Sequence, residues 1–230
     1  MANYGPYQTK NFQYMSLNSE KIDGLDLVLF HGFGADMSDL FPLTNYLQSS
    51  KTKNFYYPNG VINAPGMPMG RAWFPIDVEA LEQAMMTGSH RNFDRPIPDE
   101  IHSLCQKIED SLINELKLDP AKSIIGGFSQ GAMMAMNLVL NSPYKYKALV
   151  QLSGSFLDRT YWTQKMQAKE KMSVFLSHGY QDALLNPKDA EDLSASLTEN
   201  GHNVYSKFFQ GGHEIPLEVL KELKSFIEKQ

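Results

Sequence analysis

Lys122-Ser-Ile-Ile-Gly-Gly-Phe-Ser-Gln-Gly-Ala-Met-Met-Ala-Met136 joins an apolar, strand-like run to a helix-like run at Gly127-Phe128-Ser129-Gln130-Gly131. This is a Gly-x-Ser-x-Gly pattern. A serine on so sharp a strand-to-helix turn takes strained backbone angles, and the flanking glycines let strand and helix approach without a Cβ clash. The bare pattern is weak because Gly and Ser are common residues, but its setting strengthens it. Ser123 to Phe128 is a short apolar run ending in glycines, and Ala132, Met133, Met136, Leu138 and Leu140 supply a largely apolar helix to bury against a sheet.

Outward from that turn the chain alternates strands with helices. Phe12 to Leu17 reads as an edge strand, Leu25 to His31 as a buried one and Asn54 to Tyr57 as another. Lys147 to Leu152, Met172 to His178 and Asn203 to Phe209 follow the serine turn as strands. Ser38 is expected to cap a helix through about Gln48, Asp99 to Lys117 carries apolar residues at helical spacing, Asn186-Pro187 caps a helix through about Glu199, and a last helix spans about Pro216 to Lys229. The alternation predicts an α/β fold, a mostly parallel central sheet with helices on both faces. In such sheets reactive groups collect just after the carboxyl ends of strands.

Two stretches interrupt the alternation. Pro58 to Pro75 reads as a long loop that carries Met67, Met69, Trp73 and Phe74, unusual company for a loop unless these fold over the core or line a pocket. Val78 to Met86 is expected to be a short helix, and Thr87 to Pro98, polar and proline-interrupted, a surface loop.

The 230 residues show no Pro/Gly/Ser-rich linker, which predicts a single domain over 1–230. A net charge of −5 with scattered Lys and Arg offers no basic stripe for nucleic acid and no polybasic membrane patch. No apolar run reaches the ~18 residues of a membrane span, and no leader pattern is visible, so the expectation is a cytoplasmic protein without integral membrane association. The one cysteine, Cys105, excludes an internal disulfide and falls on an apolar helix face, where packing is the expectation.

Ser129 needs a base and a carboxylate to activate it, and the order Ser, Asp, His supplies both. Asp182 follows one strand in Ser-His-Gly-Tyr-Gln-Asp, and His213 follows the next in Gln-Gly-Gly-His-Glu-Ile. The backbone amide of Gln130, at the helix N-terminus, is one donor for an oxyanion, and the Phe33 amide in His31-Gly-Phe-Gly34 is the natural second. His31 and His178, next to glycines at strand ends, read as structural; His90, His102 and His202 read as solvated; Asp158 is a weaker rival acid; Ser153 and Ser155 read as lining the site. No residues show metal-ligand spacing.

Four blocks, His31-Gly-Phe-Gly-Ala-Asp36, Trp73-Phe74, Gly127-Phe-Ser-Gln-Gly131, and His178-Gly-x-x-Asp182 with Gly212-His-Glu-Ile215, resemble the phospholipase/carboxylesterase family of α/β-hydrolases, which includes acyl-protein thioesterases. The resemblance runs nearly end to end. It implies an α/β-hydrolase fold and a serine esterase or thioesterase with Ser129, Asp182 and His213 as triad, oxyanion amides at Phe33 and Gln130, and no cofactor. Trp73, Phe74, Met67, Met69 and Leu185 are then candidates for the substrate wall. Substrates in that class are small carboxylic esters, lysophospholipids and S-acylated proteins, among which the sequence does not choose. A binding protein on the same fold is the different-class alternative, and a homodimer through Met67 and Met69 is a further reading. The chain departs from the family's pattern where Pro75 follows Trp73-Phe74 and where 77–98 is longer and more polar, which makes that segment a candidate flap.

Overall fold

A computed structural model of the chain describes residues 4–19, 21, 23–90 and 93–230. The strands are β1 (Tyr7–Gln8), β2 (Gln13–Asn18), β3 (Leu25–Phe30), β4 (Thr52–Pro58), β5 (Ile62–Asn63), β6 (Arg71–Ala72), β7 (Ser123–Phe128), β8 (Ala148–Leu152), β9 (Ser173–Gly179) and β10 (Asn203–Phe209). The helices are α1 (Thr44–Leu47), α2 (Val78–Met86), α3 (Asp99–Asp110), α4 (Gln130–Asn141), α5 (Arg159–Ala168), α6 (Pro187–Glu199) and α7 (Leu217–Glu228). Eight strands form one sheet in the order β1-β2-β4-β3-β7-β8-β9-β10. Every pairing from β4 through β10 is parallel, and β1 and β2 add an antiparallel edge.

The central strands β3, β7 and β8 are apolar along most of their length because both faces of the sheet are covered. Helices α3 to α6 pack over one face, where Ile108 and Leu112 are fully buried, and α1 and α7 pack over the other, with Leu47, Val219 and Ile227. Burying a side chain of this size contributes about 1.5–3 kcal/mol. One polar exception lies inside β3. Asp26 is buried there, so its carboxyl is pushed above the usual range, and it accepts a hydrogen bond from Asn54 Nδ2 at 2.8 Å.

The sheet order reverses direction at β3. From β3 the chain crosses outward to β4, whereas from β7 it crosses the other way to β8, so the loops after β3 and β7 diverge and leave a crevice at the carboxyl ends of these neighbours. The serine turn follows β7, and His31 to Gly34 follows β3.

Some expectations need correction. Ser38 caps no long helix: it is tied back to Asp36 Oδ1 through its amide at 2.8 Å, and the segment becomes a 3-10 turn, Phe41–Leu43, followed by the four-residue α1. Pro42 has no N–H, and the available turn is short. The loop between Pro58 and Pro75 contains a small antiparallel hairpin, Ile62↔Ala72 and Asn63↔Arg71. Helix α3 gives way at Ser111–Glu115 to a wider π-type turn. His202 is buried rather than solvated, because its ring fills the space between Met166 O, 3.2 Å from Nε2, and the Met172 amide, 3.4 Å from Nδ1.

Candidate active site

Ser129 occupies the N-cap of α4 with φ 56° and ψ −120°. That is a sparsely populated region for a residue with a side chain, and such geometry costs about 1–3 kcal/mol unless the surroundings fix it. They do. The Ser129 amide donates to Leu152 O at 2.9 Å, and its carbonyl accepts from the amides of Ala132 and Met133 at 3.0 and 3.2 Å. The glycines explain how α4 comes so close: a Cβ on Gly131 would lie 2.0 Å from Phe30 O, and one on Gly127 would lie 2.4 Å from Gly131 C. No other residue fits either place.

The two loops beyond β9 and β10 are stitched together before they deliver any chemistry. Tyr180 N donates to Phe209 O and Gln181 N to Gly211 O, both at 2.9 Å. This brings His213 Nδ1 to 2.6 Å from Asp182 Oδ2. With Nδ1 committed to Asp182, Nε2 is the nitrogen left to take a proton. The imidazole rests on the Phe128 ring, centroids 4.7 Å apart, immediately before Ser129 in the chain.

Asp182 is buried, and its carboxylate is heavily donated to. Oδ1 accepts from Leu184 N at 2.8 Å and Leu185 N at 3.0 Å, while Oδ2 accepts from His213 and lies 3.1 Å from His178 Nε2. Burial alone would raise its pKa. The hydrogen bonds from His178 and His213, with the attraction of His213 and the Leu185 amide, outweigh burial and hold the carboxyl well below the usual range.

Gly32 brings the β3 loop against Ser129, since a Cβ there would meet Phe128 Cδ1 and Ser129 Cβ at 3.4 Å each. In that loop the Gly34 amide donates to Arg71 O at 2.9 Å and the Ala35 amide to Gly32 O at 3.3 Å, so the amides further along are spent and Phe33 precedes them. Gln130 supplies its own amide from the first residue of α4. His31 holds the loop from below: its Nε2 accepts from the Gly60 amide at 2.8 Å and its Nδ1 faces Gly32 O at 2.7 Å, which requires a neutral ring with hydrogen on Nδ1. Burial lowers its pKa accordingly.

The candidate wall residues fall in different places. Trp73 is fully buried, and its indole N–H donates to His31 O at 2.8 Å, so it supports the β3 loop from within. Phe74 lines a largely apolar cavity of ≈ 530 Å³ with Ile76, Phe93, Ile97, Ile101 and Leu157, and with Asp77, Arg95 and Glu100 also at its walls. Met67 lies over Gly34, whose Cβ would sit 2.4 Å from its sulfur, whereas Met69 is 82% exposed. Leu185 is buried, and its backbone amide donates to Asp182 Oδ1. Ser155 is buried and donates to Asp189 Oδ2 at 2.8 Å, Ser153 is buried at φ 47°, and Asp158 caps α5 by accepting from Tyr161 N at 3.1 Å. Cys105 is buried in the core, which pushes its thiol up to about 12.

Three partners at the site escaped the sequence. The Gln130 side chain clamps the Trp73-Phe74 loop, Oε1 accepting from Trp73 N at 2.9 Å and Nε2 donating to Phe74 O at 2.7 Å. His178 bonds the Asp182 carboxylate, for which its four-residue spacing from Asp182 was the available signal. His90, expected in solvent, is half-buried with Nε2 2.7 Å from Asp182 O, a contact 92 residues apart that no local pattern encodes.

Residues 19–230 match the family model for phospholipase/carboxylesterase. Among curated proteins, acyl-protein thioesterase 1 of Kluyveromyces lactis is 28% identical over 224 residues, covering 88% of this chain and 90% of that protein. Acyl-protein thioesterase 1 of Saccharomyces cerevisiae is 27% identical over 220 residues, covering 88% and 91%. Among solved structures, esterase PE8 superposes with a TM-score of 0.79 at 27% identity, covering 95% of this chain and 99% of that one.

Proposed function

The chain belongs to the phospholipase/carboxylesterase family and is a serine hydrolase of carboxylic esters or thioesters, and from that premise we propose that its reaction runs through an acyl-enzyme on Ser129, with His213 as base and Asp182 as acid. The observation that carries this assignment is the 2.6 Å contact between Asp182 Oδ2 and His213 Nδ1 beside a serine held at φ 56°.

In the proposed cycle Ser129 Oγ attacks the carbonyl carbon while its proton passes to His213 Nε2. The new C–O bond converts the carbonyl to an oxyanion, which the amides of Phe33 and Gln130 stabilise. Collapse breaks the bond to the leaving oxygen or sulfur, and the proton on Nε2 goes to that atom. Water then enters, gives a proton to the same nitrogen and attacks the acyl-enzyme; the second collapse returns the proton to Oγ and releases the acid. Asp182 stays ionised throughout and stabilises the imidazolium. Its depressed pKa supports that role.

We assign the acyl or alcohol portion to the cavity that begins at Phe74. Its volume of ≈ 530 Å³ falls within the ~300–1,000 Å³ usual for small-molecule sites. The Gln130 clamp on Trp73 and Phe74 joins that cavity to the residue after the nucleophile. Phe93, Arg95 and Ile97 form part of the same wall. The names of the relatives favour S-acylated protein or lipid-like acyl groups over very small esters, and the apolar lining agrees with them. A cytoplasmic setting suits the lone buried Cys105, and among the described residues no helix is long and apolar enough to cross a membrane. A homodimer through Met67 and Met69 belongs to the same reading, with sedimentation as its check.

The test is the initial hydrolysis rate across p-nitrophenyl esters from acetate to palmitate, below the micelle threshold, beside Ser129→Ala. Rates that rise beyond butyrate support the apolar cavity as the acyl site, and a peak at acetate contradicts it. Hydrolysis retained by Ser129→Ala contradicts the nucleophile, and no hydrolysis of any ester by the parent protein favours a binding protein on this fold.

A further inference from the structure

The catalytic cycle uses one imidazole, yet the acid carboxylate contacts two. His178 is fully buried at the end of β9, and its Nε2 lies 3.1 Å from Asp182 Oδ2 and 3.2 Å from Leu185 O. Both neighbours are acceptors, so Nε2 carries the hydrogen and divides it between the acid and the loop that follows the acid. The oxygen it reaches is the one that His213 Nδ1 approaches at 2.6 Å. Oδ1, by contrast, is occupied by the amides of Leu184 and Leu185.

The other side of the ring argues against a packing role. His178 Nδ1 has no hydrogen-bond partner among the described residues, and neither has Ser153 Oγ. The two are neighbours at the strand ends, one position beyond the Leu152↔Ser177 pair. An unsatisfied buried nitrogen costs about 1–3 kcal/mol. An apolar residue of the same volume would fill this place without that cost, so what the histidine adds is the donor at Nε2.

Resting on the assignment of Asp182 as the acid, we infer that His178 is a positioning residue that sets how much negative charge Asp182 presents to His213. A second N–H on Oδ2 draws charge away from the oxygen that holds the catalytic imidazole. Its removal therefore leaves a more strongly attracting carboxylate, and the His213 imidazolium becomes easier to form. Its removal also loosens the carboxylate, because the amides of Leu184 and Leu185 still hold Oδ1 but Oδ2 is then held only by the residue it is meant to orient. The first effect raises the pH at which the base becomes competent, and the second lowers turnover. The charged and titratable groups facing His178 are Asp182 on its own loop and, beyond Asp182, His213 from the β10 loop; His90 Nε2 reaches the Asp182 carbonyl, 2.7 Å away, rather than its carboxylate.

The experiment compares His178→Leu, which keeps volume and removes the donor, with His178→Gln, which keeps a donor, on a soluble p-nitrophenyl ester across pH. In His178→Leu kcat is expected to fall about tenfold with KM within twofold, and the acid limb of kcat/KM to move upward by roughly half a pH unit. His178→Gln is expected to keep the limb where the parent protein has it and to recover most of the lost kcat. An acid limb unmoved in His178→Leu, or a His178→Gln no better than Leu, overturns the inference. Should His178→Leu fail to fold, nitrogen-15 histidine NMR on the parent protein decides instead: a hydrogen on His178 Nε2 through neutral pH is expected, and a hydrogen on Nδ1 with Nε2 bare overturns it. If the parent protein shows no Ser129-dependent hydrolysis, the catalytic reading falls and this inference with it; parent activity with an unmoved limb removes this inference alone.

Discussion

Ser129, Asp182 and His213 come from three strand ends more than 80 residues apart in total, yet each is singled out as a candidate by the few residues around it. Gly127 and Gly131 announce a turn whose backbone leaves no room for a Cβ. Replacing Ser129 by Ala is expected to lower kcat by several orders of magnitude, with substrate binding largely kept, as single-turnover and steady-state kinetics would show. What the sequence could not reveal at this scale are the side chains that act through partners distant in the chain. The Gln130 backbone amide is predictable from the motif, but its carboxamide finds Trp73 N and Phe74 O only because the β6 end folds against α4. Gln130→Leu strands both groups in the interior, so a loss of about 1–3 kcal/mol in urea-unfolding free energy is expected, together with a higher KM for long-chain esters. Unchanged stability would mean that the loop does not depend on the clamp.

At the scale of elements, the strand-turn-helix of β7 and α4 tolerates little. A Cβ at Gly131 meets the carbonyl of Phe30 in the neighbouring strand, so relief requires α4 to move off the sheet and Ser129 to leave its position. Gly131→Ala is expected to unfold at least 10 °C below the parent, as a cost of several kcal/mol would require, or to fold with Ser129 displaced and turnover lost; a stable, fully active Gly131→Ala would contradict this account of the turn. The elements that periodicity described well are those with one face on the core, such as α3 and α7. Helix α1 is the reverse case: Leu40, Leu43, Tyr46 and Leu47 suggest a helix from Ser38, but Ser38 bonds Asp36 instead and four residues of α-helix remain. The stretch from 93 to 98 shows why loops are hard to read. Its anchors, Asp94 Oδ1 to Arg159 N at 2.9 Å and Ile97 N to Asp158 Oδ2 at 3.3 Å, lie more than 60 positions along the chain.

For the molecule as a whole, the parallel sheet was legible because strands buried on both faces must be apolar along their length, whereas the order of the strands is set by packing and appears only in three dimensions. The same burial makes stability depend on pH in a predictable direction. His31 and His202 have pKa values lowered by burial, so they stay neutral in the fold but take up protons in the unfolded chain below about pH 6.5. The stability they contribute is full above that value and falls as the pH drops beneath it. Asp182, whose pKa is lowered in the fold, against burial, by its hydrogen bonds, adds a second loss that begins below about pH 4, where the unfolded carboxyl protonates, and Asp26, whose pKa burial raises, offsets part of it. Urea midpoints measured from pH 8 down to pH 3 are expected to be flat near neutrality and to decline in those two stages; a midpoint that rises on acidification contradicts the assignment of these buried groups.

The central claim, an activated nucleophile at Ser129, is tested most directly by intact-mass spectrometry after brief exposure to a fluorophosphonate, followed by peptide mapping. Reaction needs a serine whose proton a neighbouring base removes. A single adduct per chain on the peptide carrying Gly127 to Gly131 is expected, lost in Ser129→Ala and strongly slowed in His213→Ala. Labelling that persists in Ser129→Ala, or a parent protein that hydrolyses esters yet takes no label, would contradict it.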